Sequence, residues 1–217
     1  MMEAIQAGAD PVSSAGTDAL VSVRDLVVTL RGEEPVELVR GVSFDMAPGE
    51  ILGLVGESGA GKSMIGNALI GLVAPPVAIT HGEIRYRGRR IDDLAGEAMR
   101  ALRGSDIGAI FQDPLTALNP VFTIGGQLVE TIQEHLGLSG DDARAEAVSL
   151  LAQVGIPDPQ ERLGSYPHEF SGGMRQRVVI ALALAGRPNL IVADEPTTAL
   201  DVSIQGQIIE LLRELCA

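Results

Sequence analysis

The chain has 217 residues, of which 46% are hydrophobic, and a net charge of −13 from 29 acidic against 16 basic side chains. This is enough apolar material for one core, or a core plus a lobe, and the acidic balance argues against a protein that grips nucleic-acid backbones over a broad surface. One cysteine, Cys216, excludes an intrachain disulfide, and with His81, His135 and His168 as the only histidines a Cys/His metal cage cannot be built.

The first eighteen residues, MMEAIQAGADPVSSAGTD, carry neither a basic leader nor an apolar block, so a flexible arm is expected. From Leu20 to Leu30 the apolar residues nearly alternate, and Val36 to Met46 repeats that texture, which predicts two strands. Ile51 to Val55 is a short continuous apolar run entering a glycine cluster; Met64 to Val73 then has helical spacing, with Pro75-Pro76 as its stop. The expectation is strand, loop, helix.

Gly82 to Ile91 predicts a hairpin turning at Gly88, followed by a helix over Asp92 to Leu102 and a buried strand over Ile107 to Phe111. The arginines crowding that hairpin read as a solvated edge, because Asp92 and Asp93 follow directly. From about 113 to 170 the pattern changes to a helical insert, with helices at Ile124 to Leu136 and Asp141 to Val154. A helix over Gly173 to Ala185, a buried strand over Leu190 to Ala193 and a helix over Val202 to Leu215 complete the chain. No apolar run approaches the roughly 18 residues needed to cross a bilayer, and a soluble chain is expected unless something else anchors it.

The run Gly56-Glu57-Ser58-Gly59-Ala60-Gly61-Lys62-Ser63 matches G-x-x-x-x-G-K-[ST] where the mechanism requires it, between an apolar run and a helix that continues with Met64. Glycines let the backbone wrap phosphates, and successive N–H groups at a helix N-terminus hold negative charge. Lys62 would reach the β- and γ-phosphates and the Ser63 hydroxyl would ligate Mg2+. Average composition gives a chance match in a chain of this length about one time in a hundred. Lys62 is also the only lysine, the other cations all being arginine, which fits a site needing a compact ammonium and not a planar fork. Leu190 to Glu195 reads as a buried strand ending in two carboxylates, with Asp194 on the metal side and Glu195 placed to polarise the attacking water.

Ser171-Gly172-Gly173-Met174-Arg175-Gln176 precedes those carboxylates, and at this point the sequence resembles the ATP-binding subunits of ABC transporters. SGGMRQR is similar to their signature motif, Phe111-Gln112-Asp113-Pro114 to their Q-loop and Ala199-Leu200-Asp201 to their D-loop. FQDPLTALNPVFTIGGQL, YPHEFSGGMRQR and ADEPTTALDVSIQGQI resemble, more narrowly, the oligopeptide, dipeptide and nickel importer branch. The resemblance covers roughly Val21 to Leu215 and implies an α/β P-loop NTPase core with an N-terminal antiparallel β subdomain and a helical insert. It further implies that Gln112 touches Mg2+ and the attacking water, and that Ser171, Gly172, Gly173 and Asp201 serve the nucleotide across a dimer. The implied partners are a second ATP-binding subunit, integral membrane permease subunits and, indirectly, an extracytoplasmic solute-binding protein, with no nucleic acid. The implied place is the cytoplasmic face of the membrane.

Two departures accompany the resemblance. Leu30 holds the place where the family usually stacks an aromatic on adenine, and no histidine follows His168. The expectation is therefore an ATPase core lacking its switch-histidine region, with weak turnover by the chain alone. Two other readings stay open from sequence: a nucleotide-binding module without turnover, and an ABC-type ATPase outside transport. His168 is expected to pack or cap, and His81 and His135, which flank turns, to be solvated.

Overall fold

The structure, a computed structural model, describes residues 19–197, 200 and 202–216, apart from the side chains of Leu115 and Ser203. The arm expected over residues 1–18 lies outside the described residues, as do Ala199 and Asp201. The chain divides into two compact units, one ending at Met99 and the other beginning at Arg100.

In the first unit β1 (Val21–Leu30), β2 (Val36–Met46), β3 (Val77–Tyr86) and β4 (Arg89–Arg90) form an antiparallel sheet in the order β2-β1-β3-β4. The alternation in β1 buries Val21 and Val23, slips by one residue at a bulge where Asp25 has φ 47°, and resumes with Leu26 and Val28. A bulge adds one residue and changes which face the next side chain takes. Opposite it, Gly82 has φ 87°, and a Cβ there would meet the carbonyl oxygen of Arg24 and lie 2.5 Å from that of Asp25. The hairpin turns through Arg87 and Gly88, both with positive φ as a type I′ turn needs.

Three arginines of that hairpin are engaged. Arg85 Nε donates to Glu83 at 2.8 Å, Arg90 Nη2 donates to Asp92 at 2.8 Å, and the Arg87 guanidinium lies 5.6 Å from the Tyr86 ring centroid. Burial alone would push the Asp92 carboxyl up, but the hydrogen bonds from Arg90 and from the Ile84 amide outweigh it and hold it below its ordinary value. Across the sheet, the hydrogen bond from Arg24 holds Asp45 low in the same way.

The run Ile51 to Val55, expected as a strand, is not one. Among the described residues no strand pairs with it, and Ile51 and Val55 are 57% and 88% exposed. A continuous apolar run becomes a buried strand only when neighbours cover it on both sides, and Gly53 within it weakens any intrinsic strand preference. The helix that follows, α1 (Lys62–Leu69), starts two residues earlier than expected and stops well before Pro75. Gly71 (φ 64°) donates to the Ala68 carbonyl and Leu72 to that of Asn67, a Schellman ending that closes the helix before any proline acts. The helix expected from Asp92 begins only at Gly96, as α2 (Gly96–Leu102).

The second unit holds a parallel pair, β5 (Ile107–Ile110) and β6 (Leu190–Ala193), joined through α3 (Pro114–Ala117), α4 (Ile124–Leu136), α5 (Gly140–Gln153), α6 (Pro159–Arg162) and α7 (Gly172–Leu184). A final helix, α8 (Val202–Cys216), follows. Thr123 and Ser139 cap α4 and α5 with side-chain oxygens, and Gly137 ends α4 with φ 64°. One core runs through this unit, including Leu128, Ile132, Leu151, Ile180 and Ile208, all fully buried. His135, expected to be solvated, is half-buried: the Gly104 backbone approaches its ring so closely that a Cβ could not fit, and a Cβ on Gly186 would lie 3.3 Å from the His135 Cβ. No helix among the described residues is long and apolar enough to cross a membrane.

Candidate functional site

In the first unit the loop ahead of α1 is folded for anions. Gly61 caps α1 with φ 90° and, being a glycine, brings no side chain of its own to the first helical amides. No acidic residue occupies the first turn, so the helix brings no negative side chain of its own to its positive end. Gly61 is glycine for two reasons: its positive φ, and the Leu38 carbonyl of β2 that a Cβ would strike. The Gly61–Leu38 approach had no signal in the sequence, because β2 carries no mark of which residue will lie under the loop. Ala60 donates to the Glu57 carbonyl at 3.1 Å, tightening the turn, and Gly59 supplies a second positive φ of 83°.

Lys62 Nζ donates to the carbonyls of Gly56 and Glu57, each at 2.9 Å. The ammonium is thus held over the loop by two backbone oxygens that a phosphate can replace as acceptor. Glu57, Ser58 and Ser63 are exposed, and Met64 is half-buried beside Ile65, which α1 buries. Leu30 ends β1, paired with Val36 and Val77, and is 37% exposed.

In the second unit the parallel register does the positioning. Ile110 pairs with Ala193, and the Asp194 amide donates to the Ile110 carbonyl at 2.9 Å, so Phe111 and Asp194 leave the same strand ends together. The next residues meet: Gln112 Nε2 donates to Glu195 Oε2 at 3.1 Å. Asp194 is half-buried and Glu195 exposed. Glu195 has φ 45°, an uncommon left-handed conformation for a residue with a Cβ, and such strain gathers where side chains are aimed for chemistry.

Ser171 is the N-cap of α7, its Oγ accepting from the Met174 amide at 3.3 Å, and the helix opens at Gly172, one residue before the expected start. Gly173 faces α8 closely enough that a Cβ would lie 2.9 Å from Ile204 Cγ2, so packing as well as any ligand requires a glycine there. The Tyr166 and His168 rings stack at 5.7 Å, while Tyr166 N–H donates to Glu169 at 2.6 Å in a capping box. His168 is exposed and stacks on Tyr166 within its own turn, without a part in the capping box.

A profile described as "ABC transporter" matches residues 39–198. The chain belongs to the ABC transporter family. It is 54% identical over 181 residues to a dipeptide transport ATP-binding protein of Bacillus subtilis (strain 168), an alignment covering 83% of the chain and 54% of that protein. An oligopeptide transport ATP-binding protein of the same organism is 49% identical over 199 residues, covering 90% of the chain and 55% of that protein. A peptidoglycan transport ATP-binding protein of Agrobacterium fabrum is 50% identical over 207 residues, covering 94% and 38%. The chain thus spans about half the length of the curated relatives it matches. Among solved structures, a dimeric ATP-binding cassette in a post-hydrolysis state bound to ADP and Pi superposes with a TM-score of 0.77 at 29% identity, over 90% of the chain and 82% of that chain. Part of the ABC transporter complex cbiONQ of Clostridium perfringens gives the same TM-score of 0.77 at 26% identity, over 92% and 74%. The P-loop NTPase fold implied by the motifs is the fold of this ABC family chain.

Ser63 in the first unit, and Gln112 and Asp194 in the second, each carry the kind of hard oxygen donor that Mg2+ takes; the ion uses few ligands from protein and completes its shell with phosphate and water. No group of three or more His, Cys, Asp or Glu that could hold a metal ion occurs among the described residues.

Proposed function

We propose that the chain is the ATP-binding and ATP-hydrolysing part of an ABC transporter that imports peptides or a related solute, and that residues 19–217 form its ATP-binding domain. The observation that carries the reading is the loop ahead of α1, where the Lys62 ammonium lies over the carbonyls of Gly56 and Glu57 at the mouth of a helix capped by a glycine. Peptide import is supported by the names of relatives near 50% identity.

In this reading the amides of Gly59 to Ser63 bind the phosphates, and Lys62 exchanges its carbonyl partners for the β- and γ-phosphate oxygens. Glu195 accepts a proton from the water that attacks the γ-phosphorus, and Gln112, already hydrogen-bonded to that carboxylate, orients the pair. Ser63, Gln112 and Asp194 would hold Mg2+, whose charge offsets that of the phosphate oxygens when bound. Ser171, Gly172, Gly173 and Asp201 serve the nucleotide of a second ATP-binding subunit, with permease subunits and a solute-binding protein completing the assembly at the cytoplasmic face of the membrane.

Phosphate release from Mg-ATP, together with co-purification of integral membrane subunits, tests the proposal. ATP binding with no phosphate release in the assembled complex favours a module without turnover. Stimulation by nucleic acid favours an ATPase outside transport.

A further inference from the structure

Between Glu195 and α8 the Thr197 and Leu200 carbonyls are held by one side chain, which lies within ADEPTTALDVSIQGQI but to which the sequence assigns no role. Gln205, on the first turn of α8, donates from Nε2 to the carbonyl of Thr197 at 3.1 Å and to that of Leu200 at 3.1 Å. Both protons of a single amide nitrogen are used, one for each carbonyl. The Leu200 amide donates to the same Thr197 carbonyl at 3.0 Å, so this oxygen accepts twice and forms the knot of the turn.

Glu195 sits two residues upstream of that knot in a left-handed conformation, with φ 45°. A residue with a Cβ stays in that region only when the chain is fixed on both sides. On the upstream side the Asp194 amide is bonded to Ile110 in the sheet. On the downstream side Gln205 supplies a tie.

The tie is rigid because its base is buried. Ile208 is fully buried and Leu211 7% exposed in the core of the second unit, so the helix carrying Gln205 does not move independently of it. The same helix reaches α7 through Ile204, against which Gly173 packs, and through Gln207 Oε1, which accepts from Arg177 Nη2 at 2.9 Å. Arg177 Nη1 in turn donates to the Val154 carbonyl at 2.6 Å, at the end of α5.

We infer that Gln205 is a positioning residue for ATP hydrolysis: through the Thr197 and Leu200 carbonyls it holds the backbone that aims Glu195. The inference rests on the hydrolytic reading of Glu195 given above. Gln205 touches neither nucleotide nor water in this scheme, so its removal acts on turnover and not on ATP affinity.

Gln205→Met keeps the length of the side chain and removes both donors, while Gln205→Lys keeps N–H donors on a stem long enough to reach. In the full chain, Gln205→Met should lower phosphate release at saturating ATP about 10- to 100-fold, because small misplacements of a reacting group are costly in rate. Affinity for an ATP analogue should stay within about twofold, and Gln205→Lys should recover most of the rate. Amide hydrogen exchange gives a readout that needs no turnover: the Leu200 amide should lose protection in the Met variant and keep it in the Lys variant. Unchanged protection of Leu200 in Gln205→Met overturns the inference, as does a parental rate in that variant, or a Lys variant as impaired as the Met variant. If the parental protein releases no phosphate, the hydrolytic reading falls, and the positional claim still stands or falls on the exchange of Leu200.

Discussion

The phosphate loop and the Gln112–Glu195 pair are built in opposite ways. Gly56 to Ser63 is one contiguous run in which Lys62 bonds carbonyls of its own loop, five and six residues away. Gln112 and Glu195 meet across 83 residues, and only because Ile110 and Ala193 share a rung of a parallel ladder. The first region carries its geometry in its residue types, and the second borrows it from a sheet and a helix. A contiguous loop should lose function when its own side chains change and tolerate change elsewhere. An assembled pair should be sensitive to residues that never touch it.

The largest effect should come from the assembled pair. Glu195→Gln removes the proton acceptor and keeps the shape, so phosphate release should fall about 10²- to 10⁴-fold, the usual worth of a general base. ATP affinity should be retained, because the carboxylate's role is with water. Single-turnover phosphate release beside equilibrium binding separates the two, and parental turnover by the mutant would remove Glu195 from the mechanism. Lys62→Ala inverts this pattern. It deletes a charge-assisted hydrogen bond to phosphate worth up to about 3 kcal/mol, so ATP affinity should drop by about 100-fold. Titration with a fluorescent ATP analogue reads this directly, and unchanged affinity would sink the phosphate-loop assignment.

Legibility from sequence followed the same division. The loop and its lysine stand in eight consecutive residues, and the helices α4, α5, α7 and α8 were readable from apolar spacing to within about two residues at each end. The strand expected over Ile51 to Val55 was not legible, since a continuous apolar run does not say whether neighbours will cover it, and here the run is exposed. The end of α1 was misattributed because Pro75-Pro76 is the louder signal, while Gly71 does the stopping through its own positive φ. A strand ending in two carboxylates pointed to Glu195 and motif resemblance to Gln112, but their hydrogen bond depends on a register that no spacing encodes. His135 failed for a related reason: the glycines beside it, Gly104 and Gly186, lie far away in sequence.

A smaller effect should appear in the sheet of the first unit, which supports the loop through β2. Asp92 has a side chain 5% exposed, accepts from the Ile84 amide and from Arg90, and is held below its ordinary carboxyl value. Folding thus favours the ionised form, and the unfolded chain takes up a proton first as the solution is acidified. The stability from this group is therefore fully present above the unfolded value of about 3.9 and is lost as pH falls through the depressed folded value. Asp92→Ala leaves a buried amide and a guanidinium without their acceptor, which should cost about 1 to 3 kcal/mol at neutral pH. Urea unfolding at neutral pH and at successively lower pH should show the gap between parent and mutant narrowing under acid. A gap that persists unchanged into strong acid would mean that Asp92 acts by shape alone.

The smallest effect concerns the base of the nucleotide, and it tests whether the first unit holds more of the ligand than its phosphates. Leu30 ends β1, 37% exposed and flanked by Val36 and Val77, so it offers apolar contact without a π face. Stacking of a base on an aromatic side chain is worth about 1 to 3 kcal/mol in single-stranded nucleic-acid complexes. Leucine already shields part of any ring lying over it, so the gain should fall at or below the low end of that range. Tyrosine is well suited to a strand end, where its ring can lie on the sheet with the hydroxyl in water. Leu30→Tyr should therefore tighten ATP binding severalfold and leave binding of inorganic triphosphate unchanged, because triphosphate has no base to stack. Equal tightening for both ligands would mean that the substitution acts on the loop. No change for either would place the adenine against another surface and confine the first unit's part in recognition to the phosphates.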